Sequence, residues 1–283
     1  TTPYATNYVI STTTGVMEHH VGLGIELGLF NGHYHLSTAY WYRSYLLATK
    51  LMVVEKMKAK MKAQKEMELK IAKEEAVAAA KAEKGKKKGK KAGRKNNAAK
   101  HAVAAAASMT VKVTDEDEED ELDIRLIRAK QLLCRGIMKF LAVLNQADVL
   151  KAPEYKFTSQ RVCFVKRFES FGQIQQPRPL THDDFVHASN FLNFSSAQIQ
   201  ASSAECFSEC RTELDKFISD CKTVGEHYRS ISQDEARNLV KVCVGNSIFL
   251  MKLSQAIVKG DTAECKVTFD FQSNGQFCSI KVG

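Results

Sequence analysis

The chain has 283 residues, a formal charge of +9 and only four prolines, with 26% charged and 44% hydrophobic residues. The charge is concentrated: residues 50–100 hold eighteen Lys or Arg against six Asp or Glu, so everything outside that window sums to −3. These totals exclude a uniformly basic globular surface, and the heavy use of Ala, Lys and Glu predicts a mainly helical chain whose packed part is shorter than its length.

Residues 1–15, rich in Thr and Ser with Pro3 and Gly15, carry no usable periodicity. In the stretch GVMEHHVGLGIELGLFNGHYH that follows, Gly22, Gly24 and Gly28 resemble a phosphate loop only superficially, because no strand pattern precedes them and no Lys-Ser/Thr pair ends them. The stretch is read as the end of one helix, with Asn31-Gly32 turning into the next. Its start at Thr1 without Met, and a first packed helix that needs partners from elsewhere, are what the C-terminal part of a longer protein would show.

Tyr34 to Met57 holds the only tryptophan and four of the eight tyrosines. Tyr34, Trp41, Tyr45 and Met52 fall on one stripe of a helix, flanked by Leu36, Tyr40, Leu47, Leu51 and Val54. Arg43 and Lys50 interrupt the run and the aromatics sit mid-segment, so it is not read as a membrane span. The expectation is a core helix packed on several sides; a sharper reading gives part of the Tyr34, Trp41, Tyr42 and Tyr45 surface to a partner, so these residues are partner or core contacts.

After Val54 the spacing of Lys62, Glu66, Lys70 and Glu74 supports a charged helix running on into solvent. Gly85, Gly89 and Gly93 then break it inside KGKKKGKKAGRKNN, whose like charges predict a disordered linker. The acidic run Asp115 to Glu121 reads as a solvated linker end that favours a helix start, and no oxygen-ligand loop with a turn glycine follows it.

From Leu122 the pattern is amphipathic helix: Leu122, Leu126, Leu133, Ile137, Leu141 and Leu144, with Ile127, Cys134 and Met138 beside them, ending before Pro153. The segment Thr158 to Phe171, carrying Val162, Phe164, Val165, Phe168 and Phe171, suits either a short helix or a strand. Thr181 with Asp184 opens a short helix through Phe185 and Phe191. A longer one runs from about Ser196 to Thr223, with Ile199, Cys206, Cys210, Phe217 and Cys221 along one side. Ser232 with Glu235 forms a capping-box pattern that starts a helix through Leu239, Cys243, Phe249, Leu250, Leu253 and Ile257, stopped near Gly260. Val267, Phe269 and Phe271, then Cys278, Ile280 and Val282, alternate about an Asn274-Gly275 turn and predict a hairpin laid on the helices. The fold class is therefore mainly α: an irregular helical scaffold, a long charged helix leading into a Lys-rich linker, and a short C-terminal β-hairpin. It divides into an aromatic-rich segment (1–57), a charged helix and low-complexity linker (58–120), and a helical region with the hairpin (121–283).

No residue pattern points to catalysis, a cofactor or a metal. His19, His20, His33 and His35 lack acidic or cysteine partners at ligand spacing, and Cys206 and Cys210, one turn apart, suit a buried apolar stripe better than a ligand pair. Eight scattered cysteines without a CxxC pair read as reduced, buried thiols of a cytosolic protein. The tract Lys84, Lys86, Lys87, Lys88, Lys90, Lys91, Arg94 and Lys95 has two readings: a solvated linker, or a ribosome or RNA contact acting by counterion release. No aromatics interleave with it to stack bases.

Three stretches in order resemble the large auxiliary subunit of the NatC N-terminal acetyltransferase complex. They are GIELGLFNGHYHLSTAYWYRSYLLATKL (Gly24 to Leu51), KFTSQRVCFVKRFESF with Arg167, Phe168 and Phe171, and FDFQSNGQFCSIKVG with Phe269 and Phe271. The Lys-rich spacer between the first two is also a habit of that family, although here it is long and ends in acids. The resemblance implies a non-catalytic, cytoplasmic scaffold, corresponding to the C-terminal portion of the subunit. It would hold the catalytic acetyltransferase subunit and a small Sm-like subunit and help place them at the ribosome, for acetylation of nascent chains that begin with Met and a bulky apolar residue. In that family acetyl-CoA sits in the catalytic subunit, so no catalytic or cofactor-binding residue is implied here.

Overall fold

A computed structural model describes residues 14–23, 25, 33–85, 115–150, 191, 193–221, 226–271 and 276–283. Its elements are α1 (helical residues 14–23 and 25), α2 (His33–Gly85), α3 (Asp115–Gln146), α4 (Ser196–Asp220), α5 (Glu226–Lys259), a 3-10 turn (Thr262–Glu264), and strands β1 (Val267–Asp270) and β2 (Ser279–Val282). The chain is mainly helical with a short antiparallel hairpin, as the periodicity predicts. Two compact units are present, one holding the residues up to Val54 and from Glu118 onward, the other Glu55 to Asp117.

In the first unit α3 is buried on most of its circumference. Leu133, Ile137 and Leu144 from the predicted stripe are buried, and so are Phe140 beside them and Leu132 and Val143 about a quarter-turn away. A helix enclosed in this way must satisfy its polar side chains locally: Gln131 Nε2 reaches Ser44 Oγ of α2 at 3.4 Å, and Lys139 Nζ reaches Ser202 Oγ of α4 at 2.6 Å. The helix ends at Gln146. Asp148 takes φ 55°, the left-handed conformation glycine usually supplies, while Val149 donates its N–H to Leu144 O at 3.0 Å.

Close approach of α3 to α4 depends on Gly136. A Cβ there would lie 2.6 Å from Phe207 Cε1, and Ser203 Oγ donates to Gly136 O at 2.8 Å across the same contact. A capping box starts α4: Ser195 Oγ accepts from Gln198 N at 3.3 Å, and Ser195 N donates to Gln198 Oε1 at 2.8 Å. The expected box at Ser232 is corrected by the structure. Helix α5 begins at Glu226 and runs through Ser232, because nothing in residues 226–232 breaks a helix and a capping pattern acts only where the helix would otherwise end. At its other end Gly260, at φ 77°, closes α5 with Asp261 N donating to Ala256 O at 3.0 Å.

The hairpin pairs Val267 with Val282 and Phe269 with Ile280. Ile280 and Val282 are buried, while Thr268 and Lys281 face outward, so the alternation read from the sequence sets the buried face. The predicted turn at Asn274-Gly275 lies outside the described residues, as do the segment 158–171 and the pattern around Thr181.

In the second unit α2 continues to Gly85, the first of the three glycines expected to end it. Most side chains between Glu55 and Ala78 are exposed, and Gln64 Nε2 bonds Glu68 Oε1 at 3.0 Å along the helix.

Candidate partner-binding surface

Tyr40 and Arg43, one turn apart on α2, both reach the residues that lead into β2. Tyr40 Oη donates to Gln276 O at 3.0 Å and accepts from Cys278 N at 3.1 Å. Arg43 donates through Nη2 to Gln276 Oε1 at 2.7 Å, lies 4.2 Å from the centroid of the Phe277 ring, and forms an ion pair with Glu18 of α1. Arg43 is only 2% exposed, so these partners compensate a buried charge. Burial holds the Tyr40 phenol well above its ordinary range and pushes the Cys278 thiol up to about 12, so both stay neutral. The arrangement is a clamp in which α1, α2 and the hairpin share one buried polar cluster.

This clamp changes which side of α2 is the core. Of the flanking residues Leu36, Tyr40 and Leu47 are buried together with Ala39, Arg43 and Ser44, while Leu51 and Val54 are half-buried. The aromatic stripe is half-buried instead. Trp41 packs edge-on to Tyr42 at 5.0 Å and stacks on Tyr45 at 6.1 Å with the ring planes 8° apart. Phe269 and Phe271 are half-buried against the core. The structure therefore brings Trp41, Tyr42 and Tyr45 together. The side chain of Tyr34, the residues Arg167, Phe168 and Phe171, and Lys86, Lys87, Lys88, Lys90, Lys91, Arg94 and Lys95 lie outside the described residues; Lys84 holds a helical position near the end of α2.

A surface that sequence reading missed lies on α5. Ile248, Met251 and Val258 are exposed, Val258 at 86%, and fall within an arc of about 80° at 100° per residue. The buried residues Leu239, Cys243, Leu250 and Leu253 occupy the other side of the same helix. The available signal was apolar residues off the buried stripe, which a single-face reading of the helix ignores. Lys252 sits between them with its ammonium 5.2 Å from the Phe249 ring centroid.

The buried thiols are packing groups. Cys134 and Cys278 are buried with thiols near 12 because burial disfavours the thiolate, and Cys206 lies 3.3 Å from Lys139 Nζ. His19 and His20 are exposed with ring centroids 6.4 Å apart. Among the described residues no group of three or more His, Cys, Asp or Glu is placed to hold a metal ion, and no helix is long and apolar enough to cross a membrane. The family model described as "NAA35-like, TPR repeats" matches residues 1–280.

Proposed function

The chain belongs to the NAA35-like family of TPR-repeat proteins, and from that premise we propose that it acts as the non-catalytic auxiliary subunit of the NatC N-terminal acetyltransferase complex. It holds the catalytic acetyltransferase subunit and a small Sm-like subunit, in the cytoplasm, for acetylation of nascent chains that begin with Met and a bulky apolar residue. The observation that carries this reading is the family match over residues 1–280, which spans both the Tyr-Trp-Tyr helix and the hairpin. The clamp supports it, since the first and third stretches of the resemblance meet there: Tyr40 and Arg43 bond the segment that starts at Gln276.

A subunit whose work is to hold another polypeptide needs apolar surface to offer, and Ile248, Met251 and Val258 supply one stripe of it to the catalytic subunit. Co-purification from cells tests the assignment. The intact protein brings down an acetyltransferase subunit, and Met251→Asp with Val258→Asp weakens that recovery about tenfold or more without unfolding the chain. Recovery of no acetyltransferase subunit with the intact protein overturns the assignment.

A second role rests on Lys84 to Lys95, whose charge density suits a ribosomal RNA backbone. Deleting that tract lowers ribosome co-sedimentation at low salt. Unchanged co-sedimentation removes the role and leaves the acetyltransferase assignment standing.

A further inference from the structure

Cys210 on α4 and Cys243 on α5 stand with their sulfurs 3.2 Å apart, and both are buried. Their hydrogens run in one direction: Cys243 S–H donates to Cys210 Sγ, and Cys210 S–H donates to Ala129 O of α3 at 3.1 Å. Two thiols in direct contact need only about 1 Å of further approach to reach the S–S bond length of about 2 Å. Six of the seven described cysteines are buried, and the direct contact sets this pair apart; the hydrogen bond from Cys243 and burial hold the Cys210 thiol well above its ordinary range, so the pair is favoured by proximity and not by thiolate character.

We propose that Cys210 and Cys243 form a dithiol oxidation site, whose conversion to a disulfide ties α4 to α5 and removes the Cys210 hydrogen bond to α3. With a peroxide as the oxidant, one thiol loses its proton and its sulfur takes an oxygen from hydrogen peroxide, giving a sulfenic acid and one water. The second sulfur then displaces that oxygen as a second water. Both S–H bonds and the O–O bond break, one S–S bond forms, and two electrons pass from sulfur to the peroxide. The product has no S–H at Cys210, so Ala129 O keeps only its bond within α3 while α4 and α5 become covalently joined. Oxidation thus adds a covalent α4–α5 link and removes one hydrogen bond from α4 to α3. The site is independent of the function assigned above.

The test uses the full reduced chain, treated with graded hydrogen peroxide, quenched with N-ethylmaleimide and mapped by mass spectrometry without reduction. The expected product is a Cys210–Cys243 linked peptide two hydrogens lighter than its parts, reversed by dithiothreitol and about tenfold more abundant than any other cysteine pairing. The same treatment in urea scrambles the pairings. Hydrogen exchange around Ala129 rises on oxidation and returns on reduction. The map requires no variant to fold; Cys243→Ala, as a second measurement, removes the link and leaves exchange in α3 insensitive to peroxide. Cys210 and Cys243 both remaining thiols while other cysteines oxidise, or Cys210 pairing with Cys134 or Cys206, overturns the site. A link formed without any change in α3 exchange overturns the role given to the Cys210–Ala129 bond.

Discussion

Asn246 on α5 acts as a substitute strand for Ile280 on β2. Ile280 donates its backbone N–H to Asn246 Oδ1 at 2.7 Å, and Asn246 Nδ2 donates to Cys278 O at 3.0 Å. β2 pairs with β1 on one side only, so its other edge would leave buried backbone groups without partners. One fully buried amide satisfies both, which fixes the hairpin to the helix in register.

Asn246→Leu is therefore expected to cost about 3 kcal/mol, because it strands a buried donor and a buried acceptor together. Urea denaturation followed by circular dichroism checks it. Asn246→Asp keeps the acceptor for Ile280 but loses the donor to Cys278, and it recovers part of the loss on acidification, when the carboxyl regains a proton to donate. Equal stability of Asn246→Leu and the parent removes the substitute-strand role.

Gly136→Ala is expected to destabilise by about 1 to 2 kcal/mol, since the clash with Phe207 outweighs the gain in helix propensity of roughly 1 kcal/mol. Combining it with Phe207→Leu makes room for the methyl, so the pair shows positive coupling in a double-mutant cycle. Additive costs would mean that the ring does not set the α3–α4 distance.

Arg43→Met leaves Glu18 without its cation and removes two links to Gln276, and the expected cost is about 3 to 5 kcal/mol. Adding Glu18→Gln takes the orphaned charge away and returns part of that loss. Thermal unfolding of the two single variants and the double variant measures the coupling. Arg43→Lys does not substitute, because an ammonium cannot bond Glu18 and Gln276 from one plane while covering the Phe277 face.

The buried thiols give stability an alkaline limit. Burial pushes Cys134 and Cys278 from 9.0 up to about 12, so between those values the unfolded chain ionises while the folded one keeps its protons. The contribution is complete below pH 9 and is lost as pH rises from 9 toward 12; Tyr40, raised by the same burial, acts in the same direction. Midpoints of thermal unfolding for the reduced protein should hold level from pH 7 to 8 and fall beyond 9. Cys134→Ala and Cys278→Ala flatten that fall. An unchanged slope in both variants contradicts it.

Helix α3 was legible in the sequence because its large aliphatic residues repeat with helical period, and the hairpin because apolar and polar residues alternate on both sides of a turn signal. The buried side of α2 was not. Arg43 and Ser44 are polar, so a reading by hydrophobicity assigns that side to solvent, yet they are 2% and 0% exposed. What buries them is Gln276 and Gln131, and no local pattern announces contacts at such separations. The start of α5 was misread for the opposite reason: the Ser232 pattern is local and correct as chemistry, but the helix had already begun at Glu226. The 34-residue period of a TPR array was not visible either. Helices of 32, 25 and 34 residues are each too long to be half of such a repeat. Of the aromatics on α2, Trp41 and Tyr45 stack one helical turn apart, whereas Tyr42, next to Trp41 in sequence and off the stripe, meets it edge-on; the α5 stripe has no such periodic signal, because its apolar residues lie off the buried side.

The clamp at Tyr40 also dictates an order of events during biosynthesis. Its hydroxyl waits for a carbonyl 236 residues downstream, so a nascent chain can coil α2 early but cannot cover Arg43 until translation has passed Cys278. A premature stop anywhere in that interval yields a product in which Arg43 keeps Glu18 but lacks the Phe277 and Gln276 that bury it, a natural mark for chaperones and quality-control proteases.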